Sequence, residues 1–188
     1  MRIISGSFRG KKIIEPKDIK TRPLKDLTKE SIFNIIDHSN KFKVQVVGAN
    51  VLDLFSGVGS FGIECLSRGA EKVIFTENYQ GVLSVLKKNL LSLKQTNNYK
   101  IVEKDIYNEN TLLFLNEVFD IIFLDPPYKD KNLEKIFTSI KKGNILKKNG
   151  IIILHRHKNE KELIPNNFKI IEEKKYGISK INFISFLS

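Results

Sequence analysis

The chain has 188 residues, 41% of them hydrophobic, a formal net charge of +11 and one cysteine, Cys65. This length suits one well-buried domain over residues 1–188, and no stretch approaches the roughly 20 continuous apolar residues of a membrane span. A lone cysteine excludes a disulfide framework and indicates a reduced, cytoplasmic protein. No His or Cys lies near Cys65 at ligand spacing, so we expect no metal site, and we expect a monomer. The positive charge indicates a polyanionic partner such as RNA or DNA.

The N-terminal segment is predicted to be ordered. Its first fourteen residues alternate loosely around apolar side chains, with Gly6 and Gly10 as turn points, which predicts a short β-hairpin. Asp26 or Thr28 is expected to cap a helix that runs to about Asp37. The apolar face of that helix is expected to consist of Leu27, Ile32, Phe33, Ile35 and Ile36. Residues 38–48 are polar and basic and predict a linker.

From residue 51 onward, apolar runs typical of strands alternate with helical spacing. Strands are expected at 51–55, 72–77, 99–103, 119–124, 150–154, 168–175 and 180–187. Helices are expected at 60–68, 82–93, 111–116 and 131–142. Repeated β–α units predict an α/β fold with a mostly parallel seven-stranded sheet and helices on both faces. The closing pair, joined around Gly177, predicts an antiparallel last strand.

Four predicted strand ends carry a carboxylate: Asp53, Glu77, Asp105 and Asp125. Ligands of such a sheet bind beyond the carboxyl ends of its strands, so these acids should surround one cleft. Acids in a basic protein favour a ligand with cationic and hydroxyl groups over one with phosphates.

The sequence of the loop after the first strand is compatible with two cofactors. Gly57, Gly59 and Gly62 satisfy the G-x-G-x-x-G pattern of dinucleotide-binding proteins, which makes an NAD enzyme the obvious competitor. Asp53, however, would repel a pyrophosphate at that loop. S-adenosylmethionine has an ammonium and a sulfonium but no phosphate. Its ribose suits Glu77, and the amino group of its adenine suits a carboxylate.

Residues Asp125-Pro126-Pro127-Tyr128 directly follow the apolar strand 119–124. The prolines lock the backbone, the first carbonyls are free to accept hydrogen bonds, and the ring offers a flat face. This corner suits a planar, amine-bearing group such as a nucleobase. The alternative is a structural turn that ends the strand, since Asp and Pro are ordinary turn formers.

The glycine-rich loop and the Asp125-Pro126-Pro127-Tyr128 corner resemble motifs I and IV of class I S-adenosylmethionine-dependent methyltransferases. The corner is similar to the [D/N/S]-P-P-[Y/F/W] signature of enzymes that methylate exocyclic amines. The resemblance implies a Rossmann-like fold over residues 48–188, preceded by a basic hairpin and helix over 1–40. The catalytic residues that it implies are Asp125, Pro126, Pro127 and Tyr128. The cofactor-binding residues that it implies are Asp53, Phe55, Ser56, Gly57, Gly59, Glu77, Asn78, Asp105 and Ile106.

Several collinear segments are similar to the RsmD family of bacterial ribosomal RNA guanine-N2 methyltransferases. They are 1–12, 21–24, 29–34, 52–64, 66–70 and 176–177. The family usually has Thr or Ser where Leu24 stands. The resemblance implies methylation of one guanine of 16S ribosomal RNA within a partly assembled small subunit. The basic residues expected to bind RNA are Arg2, Arg9, Lys11, Arg22 and Lys29.

Two other functions are compatible with the same residues. A DNA adenine-N6 methyltransferase could use the same corner, although the chain has no segment large enough for a separate target-recognition domain. A non-catalytic RNA-binding or ribosome-assembly module could retain the fold. Glu64 is expected to cap a helix or face solvent. His155-Arg156-His157, which follow a strand, are expected to be polar surface residues or an edge of the RNA surface.

Overall fold

The structure, a computed structural model, describes residues 1–16, 24–94, 97–127, 130–161 and 163–187. The strands are β1 Asn50–Leu54, β2 Lys72–Thr76, β3 Tyr99–Val102, β4 Phe119–Leu124, β5 Leu146–His157, β6 Phe168–Tyr176 and β7 Ser179–Phe186. The helices are α1 Asp26–His38, α2 Ser60–Ser67, α3 Gln80–Ser92, α4 Glu109–Leu113 and α5 Leu133–Lys142. None of the helices within the described ranges has the length and hydrophobicity that crossing a membrane requires.

The strands form a seven-stranded sheet in the order β3-β2-β1-β4-β5-β7-β6. β1 to β5 pair in parallel, and β7 is antiparallel to both β5 and β6. The predicted α/β fold with an antiparallel last strand is therefore confirmed. The strand order reverses between β1 and β4, and in a sheet of this kind the crevice beyond that point is where ligands bind.

Two apolar cores cover the two faces of the sheet, because successive strand residues point to opposite sides. Val51 of β1 packs in the core that α1, α2 and α3 complete. Leu52 and Leu54 of the same strand pack in the core that α4 and α5 complete. Phe61 of α2 stacks on Phe123 of β4, with ring centroids 4.0 Å apart, and so joins the helix to the strand that precedes the corner.

The N-terminal segment folds back on itself and lies against α2. The predicted hairpin is reduced to one antiparallel bridge, between Arg2 and Lys12. Gly6 lies against the end of α2, where a Cβ atom would stand 1.8 Å from the Ser67 carbonyl oxygen. Its φ of +81° is also in the left-handed region, so glycine is required there for both reasons.

Three local predictions were wrong. Lys25, with extended backbone, precedes the first turn of α1, so neither Asp26 nor Thr28 caps this helix. Leu27 is 70% exposed and does not belong to its apolar face. Val44 and Val46 are buried in the core, so the segment 38–48 is not simply a polar linker.

Candidate active site

A cavity of about 1070 Å³ opens at the carboxyl ends of the parallel strands, where the strand order reverses. This volume lies just above the range typical of small-molecule sites, about 300–1,000 Å³. The structure brings most of the predicted site residues to its wall, namely Asp53, Phe55, Ser56, Gly57, Glu77, Asn78, Asp105, Ile106, Asp125, Pro126 and Pro127. Tyr128 lies outside the described residues.

Gly59 is not at the cavity wall, contrary to its prediction as a cofactor-binding residue. It directly precedes α2 with a φ of +86°, and a Cβ there would stand 2.6 Å from the Leu86 side chain. The residue is glycine because the chain turns sharply against α3, and it shapes the loop beside the cavity.

Glu77 holds the loop after β1 in place from the neighbouring strand end. Its Oε2 accepts a hydrogen bond from the Gly57 N–H at 2.8 Å. Its Oε1 accepts from the N–H groups of Asn78 and Tyr79, at 2.9 and 2.8 Å. The Glu77 carboxylate therefore organises both loops that frame this side of the cavity.

Asp53 is a buried carboxyl group whose charged form a cation would stabilise. It is 1% exposed, and its Oδ2 accepts one hydrogen bond, from the Gly62 N–H at 2.9 Å. Burial raises the pKa of Asp53 to about 8; the Gly62 hydrogen bond opposes this rise, and the nearby carboxylates of Asp125 and Glu77 add to it. A cation in the cavity would favour the charged form of Asp53.

The corner after β4 is held by two consecutive residues of β5. His155 Nδ1 lies 2.8 Å from Asp125 Oδ1, and Arg156 donates to the carbonyl oxygens of Pro127 and Asp130, at 2.7 and 3.0 Å. His155 is 6% exposed and Arg156 is 2% exposed, so their prediction as surface residues was wrong. β5 continues to residue 157, whereas the sequence prediction ended this strand at Leu154, its last apolar residue. With the correct strand end, the rule that ligand sites lie at strand ends would have indicated His155 and Arg156.

Tyr107 is a cavity residue that the sequence reasoning missed. Its hydroxyl donates to the Asp130 carboxylate, and its ring lies 5.8 Å from that of Phe55. Burial first, and then the bond to Asp130, raise the pKa of Tyr107 far above its ordinary value, so it remains a neutral donor. Tyr107 thereby connects the loop after β3 to the loop after β4. Asp105, which precedes it, accepts the Tyr107 N–H at 2.9 Å.

The predicted RNA-binding residues differ in their exposure. Arg2 and Arg9 are exposed, and Lys11 is half-buried with its Nζ donating to the Ser92 carbonyl oxygen. Lys29 is fully buried, where its Nζ donates to the Arg2 carbonyl oxygen at 2.8 Å, so its prediction as an RNA contact was wrong. Arg22 lies outside the described residues.

Glu64 is fully buried, contrary to the expectation that it caps a helix or faces solvent. Its two oxygens accept hydrogen bonds from the N–H groups of Ile4 and Ser5, at 2.8 and 2.9 Å. It also pairs with Lys29 at 3.5 Å and with Arg68 at 3.0 Å. These contacts attach the N-terminal segment to α2 beside the cavity.

Comparison with known proteins gives consistent matches over nearly the whole chain. A family model described as conserved hypothetical protein 95 matches residues 1–185. The ribosomal RNA small subunit methyltransferase D of Haemophilus influenzae is 34% identical, over 95% of this chain and 90% of that protein. The protein of the same name from Escherichia coli K12 is 31% identical, over 94% of this chain and 85% of that protein. The solved structure of yhhF from Escherichia coli has a TM-score of 0.80 and 28% identity, and the alignment covers 99% of this chain and 97% of that one.

Proposed function

Because this chain belongs to the RsmD family, described as conserved hypothetical protein 95, we propose that it methylates the exocyclic N2 amine of a guanine in 16S ribosomal RNA. The chain is an S-adenosylmethionine-dependent rRNA methyltransferase. What we propose is the specificity: guanine as the base, its N2 as the methylated amine, and 16S rRNA as the substrate RNA. The observation that carries it is the Asp125-Pro126-Pro127 corner, which faces the same cavity as the glycine-rich loop.

The cavity fits S-adenosylmethionine. Asp53 is buried with a raised pKa, and a bound cation would stabilise its charged form. Glu77, Asp105 and Asp125 add further carboxylates to the wall, which would repel phosphate groups. When bound, this cofactor supplies an electrophilic methyl group on a sulfonium that leaves as a neutral thioether.

We assign roles in cofactor binding by the chemistry of each group. Asp53 forms an ion pair with the ammonium group of the cofactor, beside the loop of Ser56 and Gly57. Glu77 accepts hydrogen bonds from the ribose hydroxyls. Asp105 accepts from the adenine amino group. Phe55, Asn78 and Ile106 complete the wall around the adenosine.

The corner receives the amine. A guanine N2 lone pair is delocalised into the ring, so the nitrogen is a poor nucleophile until its N–H groups are bound by acceptors. Asp125 and the Pro126 carbonyl are proposed to accept these bonds, to favour sp³ character at N2 and to orient it towards the methyl group. Pro127 fixes the backbone, and Tyr128 is proposed to stack on the extruded base.

The exterior suits a polyanion. The net charge is +11, and Arg2 and Arg9 are exposed on the N-terminal segment, where we place contacts with RNA phosphates. Lys11 and Arg22 are proposed to add to this surface.

We further propose a cytoplasmic monomer of one domain, in which the extension 1–40 precedes the core 48–188. It acts on a small-subunit particle. It is proposed to need no metal, because the sulfonium loses its charge when the methyl group is transferred and the neutral thioether leaves unaided.

The test is a methyl-transfer assay with three substrates: deproteinised 16S rRNA, small-subunit particles from a strain lacking the protein, and duplex DNA. We expect label on guanine N2 of the particles, and Asp125→Ala should abolish it while RNA affinity remains. Label on DNA adenine alone would overturn the proposal in favour of a DNA methyltransferase. If wild-type protein labels no nucleic acid and Asp125→Ala keeps its cellular role, the chain is an assembly module.

A further inference from the structure

A chain of two hydrogen bonds runs from the corner into the sheet. Asp125 follows β4, His155 lies in β5, and Ser179 begins β7. Asp125 Oδ1 lies 2.8 Å from His155 Nδ1, and His155 Nε2 lies 2.9 Å from Ser179 Oγ. His155 and Ser179 are each 6% exposed, so this end of the array is buried.

The partners determine which imidazole nitrogen carries the proton. An ionised carboxylate can only accept, so Nδ1 must donate to Asp125. In a neutral imidazole Nε2 then has the lone pair, and the Ser179 hydroxyl, which can act as donor or acceptor, donates to it. The structure therefore assigns the Nδ1–H tautomer to His155.

This arrangement leaves one oxygen of Asp125 for the substrate. Oδ1 is bound by His155, whereas Oδ2 has no hydrogen-bond partner within the described ranges. Asp125 lines the cavity together with His155 and Ser179. A carboxylate tied at one oxygen cannot rotate freely, so the other oxygen has a defined direction.

We propose that His155 is the positioning residue for methyl transfer: it holds the Asp125 carboxylate so that Oδ2 faces the amine, and Ser179 fixes the tautomer that does so. This inference rests on the proposed function. As the C–N bond forms and the C–S bond breaks, sulfur keeps the electron pair and positive charge passes to nitrogen. The oriented Oδ2 stabilises that charge and receives the N2 proton, which then passes to water.

Charged neighbours of this array hold the surrounding backbone. Arg156 donates to the Pro127 and Asp130 carbonyls, and Lys180 donates to the Glu160 carbonyl.

The variants are His155→Ala, His155→Asn and Ser179→Ala, with exposed His38→Asn as the control. Asparagine retains an N–H donor near the position of Nδ1 but cannot ionise. We expect kcat to fall about 100-fold in His155→Ala with the KM for S-adenosylmethionine unchanged, because misplacement of a reacting group by about 1 Å costs that much. His155→Asn should recover most of kcat. The control should match wild type.

The inference is overturned if His155→Ala is folded by circular dichroism and keeps kcat within about twofold of wild type. It is equally overturned if His155→Asn is as slow as His155→Ala. ¹⁵N NMR of the imidazole gives a readout that needs no substrate: we expect the Nδ1–H tautomer in wild type and its loss in Ser179→Ala. An Nε2–H tautomer in wild type would reject the array. Absence of methyl transfer by wild type would reject the proposed function alone.

Discussion

Replacement of Glu64 by glutamine is expected to detach the N-terminal segment from α2. The fully buried Glu64 carboxylate accepts hydrogen bonds from the Ile4 and Ser5 N–H groups, at 2.8 and 2.9 Å, through different oxygens. It also faces the cations of Lys29, at 3.5 Å, and Arg68, at 3.0 Å. Glutamine has the same shape but only one accepting oxygen and no charge, so one backbone N–H loses its acceptor and both cations lose a carboxylate. Lys29 keeps Asp26 at 3.8 Å, and Arg68 keeps Asp37 at 3.3 Å.

The expected loss is about 3–5 kcal/mol of unfolding free energy, the usual cost of removing one partner from a buried ion pair. The unsatisfied N–H, about 1–3 kcal/mol by itself, falls within that range. Burial already lowers the pKa of Lys29, and Glu64 is the main group that raises it again. Without Glu64 the pKa of Lys29 should fall further. Lys29→Met in the Glu64→Gln background removes the buried cation that has lost this carboxylate and should recover part of the loss.

The assay combines urea unfolding followed by circular dichroism with hydrogen exchange at the Ile4 and Ser5 amides. These amides should exchange faster in Glu64→Gln, and RNA affinity should fall because Arg2 and Arg9 lie on the detached segment. Glu71→Gln, on the exposed surface, is the matched control. An unfolding free energy within about 1 kcal/mol of wild type, with both amides still protected, would refute the reasoning.

Three further predictions concern the cavity. Because burial raises the pKa of Asp53 to about 8, cofactor binding should release a proton at pH 7 and tighten as the pH rises to about 8. Calorimetry should show this in wild type and not in Asp53→Asn; a pH-independent wild type would contradict it. Arg156→Lys should lower kcat about tenfold, since one ammonium cannot replace a guanidinium bound to the Pro127 and Asp130 carbonyls, and unchanged kinetics would count against this. Glu77→Gln should weaken cofactor affinity about tenfold in equilibrium dialysis, because an amide cannot accept all three backbone N–H bonds, and equal affinity would exclude it.

Local patterns were sufficient for the parallel strands, because strands buried on both faces are continuous apolar runs. β5 was predicted too short for the same reason. It runs from Leu146 to His157, and its polar ends contain the exposed Lys147 and the buried His155 and Arg156. A rule based on apolar residues ends such a strand at the first charged residue. In β5 the residues excluded in this way include His155 and Arg156, which support the corner.

The buried Lys29 and Glu64 could not be predicted from either local segment. Each residue alone is typical of a solvated helix surface. Burial becomes possible only when the fold brings the two within 3.5 Å and the N–H groups of Ile4 and Ser5 satisfy the carboxylate. Information of this kind lies between segments about 35 to 60 residues apart, whereas patterns of periodicity extend over one element.

Positive and negative side chains lie in different regions of the molecule, and this difference favours a different ligand in each region. The outer surface includes the exposed Arg2 and Arg9, whereas Asp53, Glu77 and Asp125 lie at the cavity wall. RNA phosphates are attracted to the first region and repelled by the second, so only a base extruded from the strand can enter without cost. The cationic cofactor has the opposite preference. The acids proposed to bind the methyl donor would therefore also exclude the RNA backbone, and the corner at Asp125 is where we propose that an uncharged base reaches the donor.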